Sequence, residues 1–338
     1  MASATWFPPS SGPVRRDNRG MNLDHPVLSS LLPVVLLIFI GFVAGKANLV
    51  RGESVRDLSN LVFLVLTQAL LFRTMSQVHL EQLDFKPVVQ YFLAAGILFG
   101  AMLWLYGGNS RASVLALAGI FSNTLMIGVP LIGLAYGQEG QVLLFTLISL
   151  HALVLLSAAT LVLELQVAHE QAALSGEQRP IWRTVASAVR NAIIHPVPLP
   201  ILLGLAYAQT GWGLHPVVDR PLALLGSAFG PIALVLVGIT LSQTPVGRQF
   251  KSALMPSLVK TVLHPALMLA VGWLLGLRGL HLSVMVVAAA LPIGANVFLF
   301  SQRYRKEEDT VTAAVAVSTL ISMLGISLTM ALLAVLPA

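Results

Sequence analysis

Two asparagines carry the sharpest chemical pattern in the chain. Asn123 stands in the run Ser122-Asn123-Thr124-Leu125-Met126-Ile127-Gly128-Val129-Pro130, and Asn296 closes the run Leu291-Pro292-Ile293-Gly294-Ala295-Asn296. Each sits beside glycine and proline inside an apolar stretch. Proline removes a backbone donor and clashes with the preceding turn, and glycine lets the chain leave helical geometry. An interrupted helix presents free amides and the positive end of its dipole, which suit a carboxylate. An asparagine adds two neutral side-chain donors. The candidate ligand contacts are Asn123, Thr124, Gly128, Pro130, Pro292, Ala295 and Asn296. The plainer alternative is a pair of kinked helices whose asparagines bond a neighbour.

Other polar residues fall inside apolar runs. His151 and His264 are the groups a proton-linked step would use, because none of the fourteen acidic residues lies deep in an apolar run. A neutral histidine bonding a carbonyl is the plainer reading, and His264 could satisfy the carbonyl orphaned by Pro265. Lys260 lies about six residues into its run, where a snorkelling side chain would carry the ammonium to the interface. Gln68, also mid-run, should seek a partner on a neighbouring helix.

The elements that position these residues follow from composition. Hydrophobic residues make up 56% of the 338 and charged ones 10%, with a mean hydropathy of +0.83. An ordinary soluble domain is about 25% charged, so this chain cannot cover a water-facing surface. A spanning helix needs roughly 20 apolar residues. Ten candidates lie near 28–45, 59–75, 88–107, 111–136, 141–165, 193–210, 221–241, 254–276, 282–301 and 311–336. Trp104, Tyr106, Trp212 and Trp273 fall near their ends, as an interfacial belt requires. The longest connection, 167–192, divides the spans five and five.

Residues 1–26 form a proline- and arginine-containing tail with no signal peptide pattern. Met21 is an alternative start, which would leave residues 1–20 outside the natural chain. The basic residues set orientation. The odd-numbered loops and their flanks hold twelve Lys and Arg, whereas the even-numbered loops hold four and the tail on their side adds three. Twelve against seven puts the odd loops in the cytoplasm and both termini outside the inner (plasma) membrane.

The halves are related. Thr146-Leu147-Ile148-Ser149 recurs as Thr319-Leu320-Ile321-Ser322, an offset of 173 that also separates Asn123 from Asn296. The pairs Gly96/Gly100 and Gly272/Gly276 add a weaker match, at 176. Five spans per half force opposite orientations, so 27–166 and 193–338 would be inverted repeats. Inverted repeats with paired helix breaks are the pattern of secondary transporters that bind near the midplane.

At these residues a resemblance becomes specific. Ser122 to Pro130 with Gly137, and Pro292 to Asn296 with Thr319 to Ser322, resemble the auxin efflux carrier family of permeases. Asn60 to Phe72 preceded by Gly41 and Gly45, and Asn191 to Pro200 followed by Pro231 and Gly238, are similar to other stretches of that family. The resemblance covers roughly 28–336. It implies ten transmembrane helices in two inverted five-helix repeats, with the fourth and ninth broken and crossing. It also implies a substrate site at the crossing, with Asn123 and Asn296 in the matching positions. The family includes carriers similar to malonate and malate permeases. Where its members often have proline in the second span, this chain has Gln68, which the resemblance places near the substrate path.

Competing classes leave few traces. Cysteine is absent, so disulfides and thiolate metal sites are excluded. No basic block with interleaved aromatics suggests nucleic acid. His169-Glu170 continues as Gln171-Ala172-Ala173, which is not a zinc protease motif, and no intramembrane protease pattern occurs. The expectation is an all-α permease without cofactor, in contact with lipid and a small organic anion. Sodium or proton coupling, a channel or sensor on the same fold, and a homodimer stay open. Topology reporters fused at Ala338 and within 167–192 should read outside and cytoplasmic respectively. A cytoplasmic signal at Ala338 would reverse the assignment.

Overall fold

The computed structural model describes residues 26–79, 81, 83–175, 198–244 and 246–336. The expectations for the tail, most of the central loop and the start of the sixth span lie outside these residues. Among the described residues every regular element is a helix. In chain order they are α1 (Pro26–Lys46), α2 (Gly52–Met75), α3 (Lys86–Leu105), α4 (Ser110–Ile120), α5 (Val129–Ser175) and α6 (Pro198–Ala208). Then come α7 (Pro216–Gln243), α8 (Phe250–Leu274), α9 (Gly279–Ala290), α10 (Asn296–Tyr304) and α11 (Glu308–Val335).

Six helical stretches are long and apolar enough to cross a membrane, and four shorter apolar helices accompany them. The longest, Thr124–Val167, has 44 residues. It is two helices that meet at Gly137, whose φ of 61° and ψ of −154° no helix interior contains, and this break falls between the runs expected at 111–136 and 141–165. The run expected at 111–136 is cut after Ile120, and that at 282–301 after Ala290. Large apolar side chains stay exposed around the bundle, among them Leu324 and Leu328, which is the surface lipid requires. Trp104 and Trp212 are exposed near helix ends.

Contacts between connections define the two ends of the bundle. At one end Gln243 donates to the Val50 carbonyl, and Arg111 pairs with Glu307. At the opposite end Arg73 pairs with Asp219, and Gln90 donates to the Leu275 carbonyl. Helix α1 lies against α7 so closely that a Cβ at Gly41 would come 2.0 Å from the Val235 carbonyl oxygen. The Gly96/Gly100 pair of α3 makes no comparable contact. Both face outward with nothing within 4 Å, whereas Gly272 packs on Leu282. Gly276 lies past the end of α8 at a φ of 80° with nothing within 4 Å, so of the four glycines only Gly272 marks a helix contact.

Helices α2 and α8 each contain one π turn, at Val62–Leu66 and Val259–Leu263. A π turn shifts the backbone ladder to bonds between residues five apart. In α2 two side chains add to that ladder: Thr67 Oγ1 donates at 2.8 Å to Val62 O, which also accepts the Thr67 amide, and Gln68 Nε2 donates to Phe63 O at 2.9 Å. Gln68 thus bonds within its own helix rather than across to a neighbour.

Helix α4 is fixed at its start by two side chains. Asn109 Oδ1 accepts from the Ala112 amide at 2.9 Å, and Glu170 accepts from the Ser110 amide and hydroxyl at 2.8 and 3.0 Å. A carboxylate at a helix N-terminus satisfies orphan donors and meets the positive dipole end. Glu170→Ala should lower the melting temperature of the purified protein, with a loss of about 1.5–3 kcal/mol, and Glu170→Gln should recover part of it. An unchanged melting temperature for Glu170→Ala would show that α4 is held by packing alone.

Candidate functional site

Helix α4 stops at Ile120 and α9 at Ala290, and the two stops meet. Phe121 (φ −84°, ψ 108°) and Leu291 (φ −58°, ψ 152°) carry the chain into extended geometry. Ser122 and Ile293 then form an isolated antiparallel bridge. The Asn123 amide donates to Pro292 O at 2.8 Å, and the Gly294 amide to Phe121 O at 2.9 Å. The Ile293 amide donates to Ser318 Oγ of α11 at 3.0 Å. Backbone groups freed by one break are thus satisfied by the other, which an interruption within a membrane requires. Gly294 permits the approach, because a Cβ there would meet the Phe121 ring at 2.9 Å and Ser122 O at 3.0 Å.

The chain resumes helical geometry on both sides of this bridge. A π turn at Thr124–Gly128 leads into α5, with Asn123 as its N-cap: Asn123 Oδ1 accepts from the Met126 amide at 3.2 Å. Helix α10 begins at Asn296. The first amides of each segment lack intrahelical acceptors. A cavity of about 70 Å³ lies at this place, walled by Asn123 and Thr124 from one break and Ala295 and Asn296 from the other, with His151 and Phe63. Asn123 and Asn296 are both half-buried. Asn123 has its oxygen committed to the cap and its amide donors uncommitted. No hydrogen bond of the Asn296 side chain is present among the described residues.

His151 is buried at the cavity wall, stacked edge-on against Phe121 with ring centroids 4.5 Å apart. Its Nε2 is 3.5 Å from the Tyr91 hydroxyl, which also bonds Ser122 Oγ at 2.8 Å. His264 lies behind Tyr91, centroids 5.2 Å apart, and neither of its ring nitrogens has a partner. It does not satisfy the carbonyl freed by Pro265. Lys260 does not snorkel. It lies about 15 Å along α8 from Phe250, too deep for its stem to reach an interface. The side chain is fully buried, with Nζ donating to Ala289 O at 2.5 Å and to Leu291 O at 2.7 Å.

The remaining expected contacts sit elsewhere. Gly128 is where Leu291 packs, since a Cβ there would come 2.8 Å from the leucine methyl. Pro292 offers its carbonyl to Asn123 rather than a surface to the cavity. Pro130 lines a second, larger cavity of about 510 Å³ between α1, α2, α5 and α7. The polar wall of that cavity comes from Arg73, Thr74, Gln77, Gln138, Gln141 and Ser227. Arg73 holds Asp219 with two hydrogen bonds, at 2.7 and 3.1 Å. Gln68 lines neither cavity.

Sequence reasoning passed over Tyr91, Ser122 and Arg73. A signal for Tyr91 was present: it precedes His264 by 173 residues, the offset of the asparagine pair. The repeated tetrapeptides also behave alike. Thr146 and Thr319 each donate to the carbonyl four residues earlier, and Ser149 and Ser322 each to the threonine carbonyl three residues earlier.

Comparison with known proteins identifies the family. The family model described as "Membrane transport protein" matches residues 26–330. The chain is 22% identical to auxin efflux carrier component 8 of Arabidopsis thaliana, over 88% of this chain and 95% of that one. It is 27% identical to a protein named "Putative malonate transporter" from Rhizobium meliloti (strain 1021), over 87% and 91%. It is 22% identical to the uncharacterized transporter YfdV of Escherichia coli (strain K12), over 87% and 93%. These relatives are transporters, not enzymes. A chain matched over nearly its whole length by that family, with apolar helices throughout, is an integral membrane protein and belongs to the membrane transport protein family that holds the auxin efflux carriers.

Proposed function

We propose that this protein is a permease that carries a small organic carboxylate across the inner (plasma) membrane by alternating access. The carrying observation is the meeting of two helix breaks around one cavity, with an asparagine from each on its wall. The uncommitted amides of Asn123 and Asn296, together with the first-turn backbone donors, suit a carboxylate. Neutral donors hold an anion without a counter-charge that would slow its release. Malonate, a dicarboxylate, stands in the name of one relative.

The fold reading is ten spans in two inverted five-helix repeats, 27–166 and 193–338, with α4 and the start of α5 crossing α9 and α10. The 173-residue offset shared by Asn123 with Asn296, by the two Thr-Leu-Ile-Ser copies and by Tyr91 with His264 supports it. The basic-residue bias supports termini on the outside. On that orientation the cavity beside Arg73 opens outward and serves as a vestibule, with Pro130 between it and the breaks. Alternating access would then close this vestibule while exposing the asparagines from the cytoplasmic end.

The two asparagines make unequal test cases. Asn123→Ala removes donors and also a helix cap worth about 1 kcal/mol, whereas Asn296→Ala removes donors alone. Losing a hydrogen bond to a charged partner costs on the order of 1.5–3 kcal/mol, roughly ten- to a hundredfold in affinity. Malonate binding by the purified Asn296→Ala variant should weaken by that factor with the melting temperature unchanged. Asn296→Asp should be weaker still, because repulsion adds to the lost donor. Near-normal malonate affinity in both Asn123→Ala and Asn296→Ala would reduce the asparagines to braces of the crossing.

A further inference from the structure

Among the described residues Lys260 is the one Lys, Arg, Asp or Glu whose side chain is buried, and it is fully so. The acidic partners of the ion pairs present there are Asp219, Glu307 and Asp84, and none pairs with Lys260. The polar neighbours around the crossing are Tyr91, Ser122, His151 and His264, none of which is a carboxylate. The ammonium is held by two backbone carbonyls instead. Ala289 O is among the last four carbonyls of α9, which have no intrahelical partner, and Leu291 O lies just past the helix end.

Two carbonyl oxygens at the negative end of a half-helix are the ligands that transporters of this architecture offer to a monovalent cation. A lone buried ammonium is costly, and a neutral donor could cap a carbonyl without that cost. The repeat does not explain the residue either. The position 173 earlier is Pro87, in the first turn of α3, so only the second break carries a fixed positive charge.

We propose that the Lys260 ammonium occupies a monovalent-cation position at the second break, as a covalently tethered counter-ion that lets the protein take up its anion without sodium. The cation site itself rests on the geometry of Lys260 and α9. Its consequence for uptake rests on the carboxylate reading above. Removing the side chain should empty the position and expose the two carbonyls to a mobile cation. Keeping its bulk without its charge, as in Lys260→Met, should leave no room for one.

The test uses the full chain in lipid nanodiscs, in sodium chloride and in choline chloride of equal concentration. Melting temperature and malonate binding are both measured. Wild-type protein should give the same values in the two salts. Lys260→Ala in choline should bind malonate at least tenfold more weakly and melt lower, with sodium or methylammonium restoring both toward wild type. Lys260→Met should show the loss without the rescue. A wild-type protein stabilised by sodium, or one that needs sodium to bind malonate, overturns the proposal whether or not the variants fold. So does a folded Lys260→Ala variant that matches wild type in choline, or that neither sodium nor methylammonium improves. A wild-type protein that binds no malonate in either salt counts against the carboxylate reading, and the melting measurements then decide the cation site alone.

Discussion

A helix that breaks within a membrane must find partners for every amide and carbonyl it frees, because hydrocarbon supplies none. The structure meets that constraint by bringing two breaks together. Asn123 donates to Pro292, Gly294 to Phe121, Ile293 to Ser318, and Lys260 serves Ala289 and Leu291. Neither interruption could exist at this depth without the other. The residues that look like local helix breakers are therefore one long-range device, and Gly294 is as necessary to it as either proline.

This coupling has a functional consequence. Once the backbone is satisfied across the bridge, the first-turn amides and the asparagine side chains are left for something else. The cavity lies where those donors converge. The tyrosine and histidine behind it are packed on one another and on Phe121, which steadies Ser122 through the Tyr91 hydroxyl. The larger cavity with Arg73 and Asp219 is bounded by α1, α2 and α7 as well as α5.

Much of this was legible in the sequence because helix breakers and amide side chains in apolar runs have few innocent explanations. Glycine, proline and asparagine at 123–130 and 292–296 located both breaks, and the 173-residue offset paired them. Partners reached across long separations were not legible. Lys260 finds its acceptors 29 and 31 residues away, and Gly294 its acceptor 173 away, so no local periodicity points to them. Gln68 misled for the opposite reason. Its acceptor is Phe63, on its own helix, within a π turn, and a π turn has no clear sequence mark. His264 misled because burial without a partner is something no pattern predicts.

The central claim is that the substrate's carboxylate lies between the two asparagines. A crystal structure with bromomalonate, phased at the bromine edge, tests it most directly. The account predicts an anomalous peak in the cavity bounded by Asn123, Thr124, Ala295 and Asn296, with a carboxylate oxygen in hydrogen-bond reach of both asparagine amides. A peak confined to the larger cavity beside Arg73, with the asparagine cavity empty, would contradict it.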